Sequence, residues 1–235
     1  MIEASYRERV GEAVDLIAAT WGPMGDPEVA TAMAAYMKTD MPFYGLKKPE
    51  RTPLHRQLKR DLTPSSDDEY EHVVRTLWSL PRREEKYLAM TLAWEYRRFN
   101  AYRHMDLYRD LIVEGAWWDF VDHVSGKCVG HVLLKERTLT KPLMEEWVES
   151  SDMWLRRSAL LAHLGHKTDT DEATLFDHCL RLAHEREFFI RKAIGWVLRQ
   201  YARTAPDSVR EFVLDHRDEW SGLTFREATK HLDMC

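Results

Sequence analysis

The sequence predicts an all-helical fold, a solenoid of stacked antiparallel helix pairs. Three observations lead there. The long segments carry apolar residues at three- and four-residue intervals, no strand-like alternation of useful length occurs, and a 35-residue period runs through the chain. The 235 residues are 44% hydrophobic, enough for a sizeable core, and no long linker interrupts them, so a single domain over 1–235 is expected.

Taken in order, "MIEASYRERVGEAVDLIAATWG" reads as an amphipathic helix carrying acids. It lacks the basic start and apolar run of a leader. "KKPERTPLHRQLKR" (47–60) has Thr52 and Pro53 as start signals, and Ser66 precedes "DDEYEHVV" as a cap. "REEKYLAMTLAWEYRRF" and "SDMWLRRSALLAHLG" follow, the latter with Gly165 as a C-terminal cap. Asp171 caps "EATLFDHCLRLAHER", and "FFIRKAIGWVLRQYA" comes next. Short polar connections such as "GHKTDTD" and "RTAPDS" separate helices. "SGLTFREATKHLDMC" reads as a terminal capping helix without evident chemistry.

Tyr87, Asp122, Arg157 and Lys192 stand 35 residues apart. That period falls near the range of HEAT-like and tetratricopeptide arrays, whose helix pairs stack into a curved solenoid with a concave face. Equivalent positions of successive repeats line one side. Asp122, Arg157 and Lys192 are therefore expected to form a mostly basic row around one carboxylate, suited to a polyanion.

Composition narrows the function. Net charge is −5, which alone argues against a nucleic-acid partner. The distribution is uneven: residues 47–60 hold Lys47, Lys48, Arg51, Arg56, Lys59 and Arg60 against Glu50 alone. Solvated helix faces account for such runs as readily as a bound polyanion does. Cys128, Cys179 and Cys235 are far apart and form no metal-binding spacing, which fits a reducing cytoplasmic compartment. No apolar run approaches a membrane span, so no membrane partner is expected. Nucleotide-binding, zinc-protease and nucleophile-elbow motifs are missing. His163, His166, His178 and His184 are expected at the surface or at caps, not as metal ligands. No metal and no cofactor is expected.

The densest feature is "GAWWDFVDHVSG" (115–126). Residues four apart share a helix face, so Trp118 and Asp122 lie together. Trp117 points elsewhere and suits the core. Asp119 either assists Asp122 or serves the first helical turn. Arg157 repeats the Asp122 position, Trp196 follows Lys192 by one turn, and Arg199 follows Trp196. A cleft of Trp118, Asp122, Arg157, Trp196 and Arg199 would draw on three repeats.

Four stretches, "YMKTDMPFYGLKKPER", "AWWDFVD", "MWLRRSALL" and "FIRKAIGWVLRQYA", occur in this order. In them the chain resembles the AlkD-like DNA alkylation repair family, HEAT-like repeat DNA glycosylases, from about residue 30 to about 205. The resemblance implies a concave DNA-binding face and excision of cationic N-alkylated purines, such as 3-methyladenine and 7-methylguanine, from duplex DNA. It implies that Asp122 is the catalytic carboxylate and that Trp118 and Trp196 lie against the lesion's deoxyribose. Tyr36 would line the same cleft. Arg157 and Arg199 would hold phosphates, with Lys47, Lys48 and Arg51 as further contacts. The resemblance implies action without a base pocket, and a monomer is expected. Physical chemistry agrees with this assignment. A cationic purine leaves as a neutral base, so one carboxylate can suffice to stabilise positive charge on the sugar and orient water. Two other readings remain: a non-catalytic DNA-binding relative and a HEAT-like protein-interaction scaffold.

Overall fold

The structure is a computed structural model and describes residues 2–233. Among the described residues there is no strand. The helices are α1 (Ala4–Met24), α2 (Pro27–Met37), α3 (Lys48–Asp61), α4 (Asp67–Ser79), α5 (Arg83–Glu95), α6 (Met105–Gly115), α7 (Trp118–His123), α8 (Gly130–Lys135), α9 (Arg137–Val148), α10 (Met153–Leu161), α11 (Glu172–Arg181), α12 (Phe188–Tyr201), α13 (Pro206–Asp215) and α14 (Gly222–Thr229). A π-helical turn, Val124–Val129, joins α7 to α8. The chain forms two compact units, one up to residue 99 and one from residue 100 onward.

The repeat is visible in the helix starts. α5, α7, α10, α12 and α14 begin at Arg83, Trp118, Met153, Phe188 and Gly222, intervals of 35 or 34 residues. Each follows a partner helix in the chain: α4, α6, α9, α11 and α13. In the first unit Tyr70, early in α4, donates its hydroxyl to the carbonyl of Ala93, late in α5, at 2.9 Å, so this pair runs antiparallel. In the second unit α10 packs on α7 and on α12, and α12 packs on α14, so second helices of successive repeats are neighbours.

Apolar periodicity explains the cores. α1 buries Tyr6, Val10, Ala13, Ile17 and Trp21, the stripe its amphipathic sequence predicts. Tyr6 also donates to the Leu62 carbonyl at 2.8 Å. Buried Glu84 accepts the amides of Tyr44, Gly45 and Leu46 at 3.0, 2.9 and 3.1 Å, fixing the loop before α3. Gly45 sits there at φ 88°, and a Cβ would lie 2.1 Å from the Asp26 carbonyl, so only glycine fits. In the second unit Leu155, Leu160, Leu161, Ala193, Ile194, Val197 and Leu198 are buried along α10 and α12.

Several local expectations change. Ser66 and Asp171 do cap α4 and α11, accepting the amides of Glu69 and Thr174 at 3.3 and 3.2 Å. Thr52 and Pro53 do not start a helix. α3 begins at Lys48, with Pro49 in its first turn, and Thr52 donates its hydroxyl back to the Lys48 carbonyl. Gly165 is not the cap of α10, which ends at Leu161 with Ala162 behind it. His163, His166 and His178 are buried, at 4%, 3% and 0% exposure, rather than at the surface; only His184 is exposed. The segment from Ser221 forms α14, the last helix and the second of a fifth pair, and its Glu227 makes ion pairs with Lys192 and Arg199. Cys128 and Cys179 are buried free thiols, and Cys235 lies outside the described residues.

Candidate active site

The site grows from one ion pair. Asp122 lies one turn into α7, four residues after Trp118, and Arg157 occupies the equivalent position of α10. The guanidinium meets the carboxylate with two hydrogen bonds, Nε to Oδ1 at 2.7 Å and Nη2 to Oδ2 at 2.9 Å. This is the planar fork geometry that makes arginine–carboxylate pairs strong and directional. The remaining terminal nitrogen of Arg157 donates to the carbonyl of Phe189, in the first turn of α12. One arginine thus ties three successive repeats together. Arg157 is 3% exposed, and its three bonding nitrogens are committed inside the protein.

Asp122 is less buried, with 17% of its side chain exposed. Burial pushes its carboxyl above the usual carboxylate range. The bonds and charge of Arg157 pull it back only in part, and the nearby charge of Asp119 pushes it further up. A base poised in this way holds a proton more readily than a surface carboxylate does.

The exposed side of Asp122 faces an open cleft of about 260 Å³, lined by Asp122, His123, Gly126, Lys127, Leu164, Gly165, Trp196 and Gln200. Asp122 and Trp196 are therefore brought together as the sequence suggests. Trp118 opens α7 and is half-buried, but it is not among the residues lining this cleft. Trp117 is half-buried rather than in the core; its ring centre lies 6.1 Å from that of Trp154 and 5.7 Å from that of Phe189. Asp119 stands in the first turn of α7.

The π-helical turn forms part of the cleft wall, and three contacts fix it to the next repeat. Ser125 donates to Ser158 at 2.7 Å, both fully buried. A Cβ on Gly130 would lie 2.6 Å from the Ala162 carbonyl, so glycine there permits close approach. The Gly130 carbonyl accepts from Nε2 of His166 at 2.8 Å.

The expected basic row is mostly paired with carboxylates instead. Lys192 meets Glu227 at 2.6 Å, and Arg199 bonds the same carboxylate. Glu227 stands 35 residues after Lys192, so it is the next member of the row. Its carboxyl is held below the usual range, chiefly by Lys192. Two cations on one carboxylate leave a single positive charge in excess.

In the first unit Tyr36, near the end of α2, is 76% exposed. Lys47 and Lys48 are exposed at the start of α3. Arg51 is partly buried, its guanidinium 5.0 Å from the ring centre of Tyr87.

Among the described residues, Glu145, Asp177 and His178 stand close enough to share a cation. The guanidinium of Arg181 already fills that role, bonding Glu145 and, at 3.2 Å, Asp177. No described helix is long and apolar enough to cross a membrane.

His123, Gly126, Lys127, Leu164, Gly165, Gln200 and Glu227 were not legible as site residues one by one. Gln200 follows Trp196 by one turn, Gly126 follows Asp122 by one turn, and Glu227 continues the period, so helical spacing and the repeat did point to three of them.

A helical-repeat chain with a half-buried, arginine-held carboxylate and a tryptophan on one cleft narrows the class of protein. The family model described as "DNA alkylation repair enzyme" matches residues 17–232, so the chain belongs to that family. A solved structure described as a predicted DNA alkylation repair enzyme from Enterococcus faecalis is similar at 29% identity and a TM-score of 0.82, covering 90% of this chain and 98% of that one. AlkD2 from Streptococcus mutans shares the fold at 15% identity and a TM-score of 0.61, over 87% of this chain and 99% of its own. Smu.31 from Streptococcus mutans UA159 does so at 15% identity and 0.60, over 87% and 100%. No curated protein matches the chain significantly.

Proposed function

We propose that the protein is a monofunctional DNA glycosylase that hydrolyses the N-glycosidic bond of cationic N-alkylated purines, 3-methyladenine and 7-methylguanine among them, in duplex DNA. The observation that carries this reading is Asp122, held by Arg157 at the wall of a cleft it shares with Trp196. In the reaction the bond from C1′ of the deoxyribose to the purine breaks, and its electrons go to the purine, which leaves neutral. Positive charge grows on the sugar, where the Asp122 carboxylate and the electron-rich face of Trp196 stabilise it. Water adds to C1′, its proton passing to the carboxylate or to solvent, and an abasic site remains. No acid is needed for the leaving group, which sets this chemistry apart from two-carboxylate glycoside hydrolysis.

Arg157 serves this reading best by orienting Asp122, because its buried guanidinium has no surface to offer a phosphate. Trp118, one helical turn before Asp122 on α7, remains proposed as an aromatic contact of the lesion's deoxyribose. Lys47, Lys48, Arg51 and Arg199 remain the proposed phosphate contacts and Tyr36 the proposed aromatic contact, with duplex DNA as the partner of a concave face.

The test is release of free base from methylated duplex DNA. Purified protein is expected to liberate 7-methylguanine or 3-methyladenine and leave abasic sites in equal number. Duplex binding without release supports a non-catalytic DNA-binding protein instead, and absence of both supports a protein-interaction scaffold.

A further inference from the structure

We infer that Lys127 is a further DNA contact of the Asp122 cleft, its ammonium holding a phosphate that flanks the damaged nucleotide on the lesion-bearing strand. The inference rests on the glycosylase reading and deepens it. Lys127 is exposed and lines the same cleft as Asp122 and Trp196. If the lesion's sugar stands before Asp122, the phosphates on either side of it are the nearest anions, and a cation in that cleft meets one of them before any base edge.

The backbone under Lys127 is built for such a role. The residue sits in the π-helical turn, and π-turns inside α-helices are frequent at functional sites. The Ser125–Ser158 bond, the close approach of Gly130 to Ala162 and the His166–Gly130 bond hold this turn against α10 and the turn after it. The Cα of Lys127 is therefore fixed relative to Asp122, while its side chain is exposed at the cleft.

Charge supports the same role. Asp122 is already neutralised by Arg157, and Lys192 and Arg199 share Glu227. An exposed ammonium exchanges a surface partner for a phosphate readily, because exposed ion pairs contribute little.

The experiment measures binding of wild type, Lys127→Ala and Lys127→Arg to a duplex carrying a tetrahydrofuran abasic analogue, over a range of salt. Lys127→Ala is expected to bind several-fold more weakly, with its log–log salt slope shallower by about 0.9, and Lys127→Arg to restore both. A neutral methylphosphonate at one of the two phosphates flanking the analogue should weaken the wild type to the level of Lys127→Ala and leave Lys127→Ala unchanged. An unchanged slope for Lys127→Ala, or additive losses at both flanking positions, overturns the contact. If the wild type still releases alkylated base in that case, only the lysine contact fails. A wild type that neither binds duplex nor releases base overturns both.

Discussion

Asp122 is under two opposing pressures. Burial favours its neutral acid, and Arg157 favours the carboxylate. In the proposed reaction the carboxylate is the active form, so activity is expected above its pKa and expected to be lost as pH falls through it. Removing the cation by Arg157→Met raises that pKa further. The acid limb of the single-turnover pH–rate profile is therefore expected to move to higher pH in the variant, and an unmoved limb would mean the profile reports another group. The variant should also lose about 3–5 kcal/mol of stability, because a buried carboxylate is left unpaired. In the proposed reaction Trp196 would contribute through its ring face, a cation–π effect of about 0.5–2 kcal/mol. Trp196→Ala is expected to slow single-turnover excision by about 2- to 30-fold, and Trp196→Phe by less.

Among the elements, the repeat was the most legible feature. The spacing of Tyr87, Asp122, Arg157 and Lys192 matches helices that start at Arg83, Trp118, Met153 and Phe188. Periodicity says which residues share a side, but not which charges will pair across neighbouring helices. Arg157, for which the resemblance implies a phosphate contact, is buried against Asp122. Nor does a run of scattered histidines reveal that α9, α10 and α11 close over three of them. The π-helical turn leaves no apolar signature at all, since 3.6-residue patterns do not register one inserted residue. Gly195 shows how a single position sets helix contact. A Cβ there would lie 2.4 Å from Cβ of Glu227 and 2.9 Å from the Thr224 carbonyl. The glycine lets α12 approach α14 closely enough for Lys192 and Arg199 to reach Glu227. Gly195→Ala is expected to cost about 1–3 kcal/mol in urea unfolding through overpacking; a neutral effect would show that α14 yields without loss.

On the scale of the whole molecule, the buried histidines contribute to the response to acid. The ring centres of His166 and His178 lie 5.7 and 5.8 Å from that of His163. Burial holds all three below the ordinary imidazole range, His163 well below it. Arg137 and Lys141 border the small cavity beside His163 and His166, and Asp171 faces it from the start of α11. Glu145 bonds His178 at 3.1 Å and offsets part of its shift. Imidazoles that are neutral when folded and titrate near 6.5 when unfolded take up protons on unfolding. Stability is then fully present above about pH 7 and falls as pH drops below about 6.5, by up to about 1.4 kcal/mol per pH unit for each histidine. Urea midpoints between pH 5 and pH 7.5 should show this fall, and His163→Leu should make it shallower. Equal slopes in the two proteins would mean that His163 is not one of the groups responsible.

The role of Asp122 is tested most directly by base release from methylated duplex DNA, comparing wild type with Asp122→Asn and measuring duplex binding by both. The substitution keeps the shape of the side chain and one acceptor for Arg157 while removing the charge. Release of 7-methylguanine by wild type, its loss in Asp122→Asn, and duplex binding retained in both is the expected result. Near-normal release by Asp122→Asn would contradict it and turn attention to Asp119.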